Sequence, residues 1–172
     1  MLGCCLDKNS IRRLIESSPP LVEGFSDITT QLQPNGFDLR LSEVETFNDP
    51  GVFGPTDKER KLASTSPLLF DSDHSLHLDP GAYRITLIET LNLPLDLMAL
   101  GKPRSSFLRS GVAVHNAVWD AGYSGRSQAL LVVYHPKGLI LARGVRILQL
   151  VFFQLKEPLQ QGYGGRFQHE GL

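Results

Sequence analysis

Asp120 is the residue best placed to do chemistry in this chain. It opens the run Asp120-Ala121-Gly122-Tyr123-Ser124-Gly125, and between it and Glu157 there is no Asp or Glu. Any acid or base step in that region therefore has one local carboxylate. Held at a strand-turn-strand corner it can polarise a water, while Gly122 and Gly125 let the chain turn back and expose backbone amides. The same pattern also makes an ordinary Asx-type turn. Tyr123 can stack on a sugar or simply cover the hairpin. Upstream, Arg104, Ser105, Ser106 and Arg109 offer two guanidinium forks and two hydroxyls at the start of a short helical segment. That set suits polyphosphate oxygens, and equally a capped helix start with surface arginines. Downstream, Ser127 to Tyr134, including Gln128, reads as the returning strand, with backbone groups able to read the edge of a planar base. Arg146 and Gln149 flank Ile147 on an otherwise apolar strand. Polar groups there are costly unless paired, so they hold a subunit interface or face a polar site.

These clusters lie in turns between apolar β-like runs, so strands must position them. Phe37, Leu39 and Leu41 alternate with Asp38, Arg40 and Ser42, the period of a half-buried strand. Leu76 to Leu78, the Asp79-Pro80-Gly81 turn and Ala82 to Glu89 supply further strands, and Ile147 to Leu155 is apolar enough to predict burial on both faces. With Gly and Pro signals at roughly ten-residue intervals, the pattern is that of an all-β sandwich or barrel. A doubly wound fold lacks the strand-helix-strand alternation it needs. One convincing helix stands near the N-terminus, where Asp7 caps Ile11, Leu14 and Ile15 before Ser17-Ser18-Pro19-Pro20 ends it. Asp49-Pro50-Gly51 and Gly54-Pro55 open a long loop expected to run through Ser66. His74 and His77 near Asp71, Asp73 and Asp79 read as turn chemistry, with Asp73 and Asp79 serving the turns, and not as a metal site.

At 172 residues the chain has the length of a single domain. Its expected parts are an N-terminal helix region (1–20), a β body (21–158) and a C-terminal arm (159–172). A net charge of −1 provides no basic field for a nucleic-acid polymer. The only cysteines, Cys4 and Cys5, are adjacent and make no disulfide scaffold. Leu2-Gly3-Cys4 lacks the charged start and apolar stretch of a lipoprotein signal, and Gly3 is not placed for myristoylation. No apolar run approaches the roughly 18 residues of a membrane span. A cytoplasmic protein, with no membrane partner, is the expectation.

Taken in order, the clusters resemble the motifs of the trimeric dUTPase and dCTP deaminase superfamily. Gln33-Pro34-Asn35-Gly36-Phe37-Asp38-Leu39-Arg40-Leu41 is similar to the first motif, Pro103-Arg104-Ser105-Ser106 to the second, Asp120 to Gly125 to the third, and Arg143 to Leu150 to the fourth. Tyr163-Gly164-Gly165-Arg166-Phe167-Gln168 is similar in position to the mobile arm that closes the site, without its Gly-Ser-Thr-Gly ending. The N-terminal helix is more typical of the deaminase-like branch. The resemblance implies a mainly β fold, a distorted, jelly-roll-like β-barrel (β-clip) of the dUTPase type with a short N-terminal helix. It also implies a homotrimer with sites at subunit boundaries and Mg²⁺ carried on the nucleotide. By the same resemblance Asp120 activates the attacking water, and Tyr123 packs on the deoxyribose. Arg104, Ser105, Ser106 and Arg109 bind phosphates, Gln149 holds the water or a phosphate, and Arg166 and Phe167 belong to the arm, with Phe167 stacking on the base.

Deaminases of this family need a Glu shortly after the third motif, to shuttle protons to the cytosine amino group. Here that position falls at Leu130 or Leu131, and leucine transfers no proton. The resemblance therefore implies a dUTP diphosphatase producing dUMP and pyrophosphate. A dCTP deaminase or bifunctional enzyme using another acid is one alternative. A non-hydrolytic nucleotide-binding regulator is another, favoured by the unusual tail and by Trp119, where the family usually has a smaller aliphatic residue.

Overall fold

Asp7 starts the first helix in the computed structural model, which describes residues 4–172 and so leaves Leu2 and Gly3 of the cysteine-containing start outside it. Its carboxylate accepts from the backbone amides of Asn9 and Ser10 at 2.8 and 2.9 Å, satisfying donors that a helix leaves free in its first turn. Helix α1 (Lys8–Ile15) then buries Ile11 and Ile15, with Leu14 partly buried beside them. Two shorter helices follow, α2 (Ile28–Gln31) and α3 (Ser105–Arg109).

Apart from a 3-10 turn at Asp57–Glu59, the remaining elements are strands: β1 (Val22–Glu23), β2 (Leu32–Gln33), β3 (Gly36–Phe47), β4 (Thr65–Leu68), β5 (Ser75–Leu78), β6 (Gly81–Asn92), β7 (Leu97–Pro103), β8 (Val112–His115), β9 (Ser124–Val133), β10 (Leu139–Ala142) and β11 (Arg146–Gln154). Nine of them form one sheet in the order β7-β11-β3-β6-β9-β8, with β1 on β6 and with β2 and β4 on β3; β5 and β10 pair separately. The two ends of the sheet approach where Ala99 of β7 bridges Trp119, beyond β8, so the sheet curls into a nearly closed barrel. Bulges between Leu41 and Glu43 on β3 and between Thr86 and Thr90 on β6 supply local bends. Phe37, Leu39, Leu41, Ile85, Leu87, Leu131, Leu150 and Phe152 are fully buried within it. Each such side chain contributes about 1.5–3 kcal/mol of transfer free energy.

Several expectations need correction. β3 alternates as predicted but is not half-buried, because its polar residues are covered too: Asp38 and Ser42 are buried. Glu89 is fully buried as well, and its carboxylate accepts from the Arg40 Nε at 2.7 Å, the Arg40 amide at 2.8 Å and the Gln31 Nε2 at 2.8 Å. Those donors are what make a buried charge tolerable. β11 buries Ile147, Leu148, Leu150 and Phe152, yet Val151 and Phe153 remain partly exposed, so its second face is only partly covered within one chain. The loop that opens at Asp49 ends at Ser64, not Ser66. Asp49 accepts from the Ser64 amide and hydroxyl, both at 2.8 Å, and pairing with β3 starts at Thr65. At the following turn the closing carboxylate is Asp71, bonded to the Ser75 amide at 2.7 Å and its hydroxyl at 2.9 Å, rather than Asp73. No helix among the described residues is long and apolar enough to cross a membrane.

Candidate active site

The wall of the barrel places Asp120. Trp119 exchanges backbone hydrogen bonds with Ala99 at 2.9 and 3.1 Å, and its ring is buried. The next residue leaves the wall, so the Asp120 carboxylate is exposed and has no side-chain hydrogen bond or ion pair among the described residues. The turn then folds tightly. Gly122 has φ +84°, and a Cβ there would lie 2.7 Å from the Gly162 Cα, which only glycine avoids. Tyr163 donates its amide to the Ala121 carbonyl at 2.8 Å, so the C-terminal segment crosses directly over the turn.

Between turn, tail and loop lies a cavity of about 660 Å³. Asp120, Tyr123, Ser127 and Gln128 form one side, Phe47 and Arg84 come from β3 and β6, Phe53 and Leu62 from the 49–64 loop, and Tyr163, Phe167 and Glu170 from the tail. The volume and the mixture of rings with a few polar groups suit a ligand of nucleotide size.

Asp120, Tyr123, Gln128 and Phe167 thus converge on this cavity, while the other predicted residues lie elsewhere. The Arg104 Nε lies 3.1 Å from the Asp38 Oδ2, and the Arg146 Nη1 approaches the same oxygen at 3.3 Å. The Gln33 Nε2 donates to it as well, at 3.3 Å. Residues of the first, second and fourth clusters therefore meet on Asp38. Ser105 and Ser106 stand exposed in the first turn of α3. Arg109 opens onto a separate groove with His77, His135 and Lys137. Gln149 lies on β11, in register with Asp38 of β3 and Lys102 of β7. Arg166 belongs to the tail but does not line the cavity. Sequence reasoning missed Phe47, Phe53, Arg84 and Glu170. Nothing local marks them: even on β3, Glu43, Glu45 and the bulge after Leu41 break the alternation before Phe47.

Charge in the cavity is organised around Arg84. Its Nε and Nη2 each lie 2.7 Å from Glu45, a bidentate pair whose hydrogen bonds hold the Glu45 carboxyl below its ordinary range and raise Arg84. Glu170 goes the other way: burial pushes its carboxyl up, offset in part by the hydrogen bond from Tyr123 and by Arg84. Tyr123 is raised well above an ordinary phenol, first by burial. Burial also raises Asp38, against the pull of Arg104 and Arg146.

The sequence profile of the dCTP deaminase-like family matches residues 5–155. The chain belongs to this dCTP deaminase-like family. Among members, a protein of Methanococcoides burtonii named "Probable deoxyuridine 5'-triphosphate nucleotidohydrolase" is 42% identical over 167 residues, covering 97% of this chain and 98% of the relative. One of Methanosarcina mazei with the same name is 44% identical over 165 residues, 96% of each chain. The fold is similar to a crystal structure of 2'-deoxycytidine 5'-triphosphate deaminase from Agrobacterium tumefaciens, with TM-score 0.66 and 24% identity over 90% of this chain. Here the chain spans about half the length of its counterpart, 49%. The two folds therefore agree, and the relatives of similar length carry the nucleotidohydrolase name.

Proposed function

We propose that the protein is a dUTP diphosphatase, hydrolysing dUTP to dUMP and pyrophosphate. The observation that carries this reading is Asp120: an exposed carboxylate without a side-chain partner among the described residues, at the edge of a nucleotide-sized cavity walled by aromatic rings. Such a group can accept a proton from a water attacking the α-phosphorus, and the water's oxygen then forms the new bond as pyrophosphate departs. Tyr123 presents its ring to the deoxyribose, Phe167 stacks on the base, and backbone groups around Gln128 read its edge. Where deamination would need a proton carrier, β9 has Leu130 or Leu131, and neither transfers a proton. Full-length relatives named as nucleotidohydrolases favour the same activity.

Mg²⁺ fits this site as a companion of the substrate. The cavity's carboxylates are Asp120 and Glu170, and no group of three or more His, Cys, Asp or Glu residues capable of holding a metal occurs among the described residues. A hard cation would therefore take most of its oxygen ligands from phosphates and water, with Asp120 as the available protein oxygen. When bound it would neutralise developing phosphate charge.

Arg104, Ser105, Ser106, Arg109 and Gln149 do not reach the cavity of their own chain. A homotrimer, in which a neighbouring copy presents these residues, completes the phosphate site. The test is pyrophosphate release from dUTP and Mg²⁺ by the purified protein. No release above an Asp120→Asn control excludes the reading. A second reading, dCTP deamination, gains one candidate acid, Glu170, which lines the cavity with a raised carboxyl. Absence of any uracil nucleotide after incubation with dCTP dismisses it.

A further inference from the structure

A chain of buried hydrogen bonds runs from the barrel wall to the C-terminal segment. The Trp119 Nε1 donates to the Ser127 Oγ at 2.6 Å, Ser127 lies 3.1 Å from the Tyr123 hydroxyl, and Tyr123 donates to the Glu170 Oε1 at 2.8 Å. Donor capacity fixes the direction. Indole can only donate, a carboxylate can only accept, and Tyr123 has one proton, which goes to Glu170. The Ser127 proton must then go to the Tyr123 oxygen. Every link is satisfied only when Glu170 is in place, with Trp119, Tyr123 and Ser127 all 5% exposed or less.

Glu170 is held there by its backbone. Its carbonyl accepts from the Arg126 amide at 2.8 Å, and the preceding His169 amide donates to the Ser124 carbonyl at 2.7 Å. Gln168 adds two side-chain bonds, to the Gly122 carbonyl at 2.9 Å and from the Ser124 amide at 3.1 Å. A Cβ at Gly125 would lie 2.9 Å from the Tyr123 hydroxyl and 3.1 Å from both the Glu170 amide nitrogen and its carbonyl oxygen, so glycine eases the close approach. The tail thus docks as an added edge on the turn that carries Asp120.

We propose that Glu170 is a positioning residue for Tyr123: by completing this relay it sets the sugar-facing ring only when the C-terminal segment is docked. This rests on the reading of Tyr123 as the residue that meets deoxyribose in dUTP hydrolysis. Loss of Glu170 frees the Tyr123 proton to turn back to Ser127, reversing that bond and loosening a ring that, packed on the deoxyribose, leaves no room for a 2′-hydroxyl in the functional reading above. Discrimination between dUTP and UTP, and not merely turnover, is the property at stake.

The experiment compares wild type with Glu170→Ala and Glu170→Gln. The first readout is the ratio of kcat/KM for dUTP to that for UTP. The second is the emission of Trp119, the only tryptophan, which needs no substrate. Glu170→Ala should lower the ratio about tenfold, as expected for losing a hydrogen bond to a charged group, and shift the emission. Glu170→Gln keeps an acceptor and should retain most of both. An unchanged ratio and emission in Glu170→Ala, or a Gln variant as impaired as the Ala variant, overturns the proposal. If wild type does not hydrolyse dUTP, the functional reading has failed, whereas the emission comparison still decides whether the relay exists.

Discussion

Asp38 and Asp120 are the same residue type in two of the motif-like clusters, and the structure uses them in opposite ways. Asp38 is 1% exposed and receives Arg104, Arg146 and Gln33 within 3.3 Å. Asp120 is exposed and receives no side-chain bond from the described residues. A carboxylate with its lone pairs committed to guanidinium groups is a brace between β3, β11 and the start of α3. One left free at the rim of a cavity can take a proton. Environment, not residue identity, separates the brace from the base. The arginines divide too, since within one chain Arg104 and Arg146 serve the brace while Arg109 opens onto its own groove.

The contrast can be broken in four ways. Asp120→Asn should lower pyrophosphate release by about a thousandfold, within the range of general-base loss, while the urea midpoint stays at the wild-type value. A large drop in stability would place Asp120 among the braces. Next, mixed oligomers formed from Asp120→Asn and Arg109→Ala copies should recover activity that neither has alone, because an intact cavity can then face an intact phosphate cluster. Failure of mixing to restore any turnover argues against a shared site.

Asp38→Ala should reverse the pattern of Asp120→Asn. Removing one partner of a buried pair leaves two guanidinium groups uncompensated, and a loss of about 3 kcal/mol in urea unfolding is expected. The smallest effect is in pH. Glu45 titrates below the ordinary glutamate value of 4.5, so the stability it contributes is full above that value and fades as pH falls through its lowered folded value. The advantage of wild type over Glu45→Gln in thermal unfolding should therefore shrink on acidification. Glu170, being raised, has the opposite sign: its folded form gains relative to the unfolded one as pH falls toward 4.5. Glu170→Gln should remove that gain.

Much of the fold was legible because its signals are local. Asp7 caps α1 through amides two and three residues away, and the β3 alternation is visible in six consecutive residues. The Asp120 turn was readable for the same reason, since a glycine with positive φ follows within two positions. Glu170 was not. It meets Tyr123 across 47 positions of sequence, and a tail with little periodicity gives no sign of where it docks. Arg84 carries no local mark either, since its partner Glu45 lies 39 positions away on β3. The brace was not legible for the same reason, because spacing shows that Arg104 and Arg146 are present but not that one buried carboxylate draws both.

The sequence by itself determined a mainly β chain with a capped N-terminal helix, the order of the polar clusters and a single carboxylate at the third of them. These follow from side-chain period, turn chemistry and residue type, which act over a few positions. Only the tertiary structure decided which groups share a cavity, which carboxylate is buried beneath guanidinium groups and which stays open to water. Those outcomes depend on strands far apart in sequence closing into one barrel, where burial and donor capacity are set by neighbours that no local pattern names.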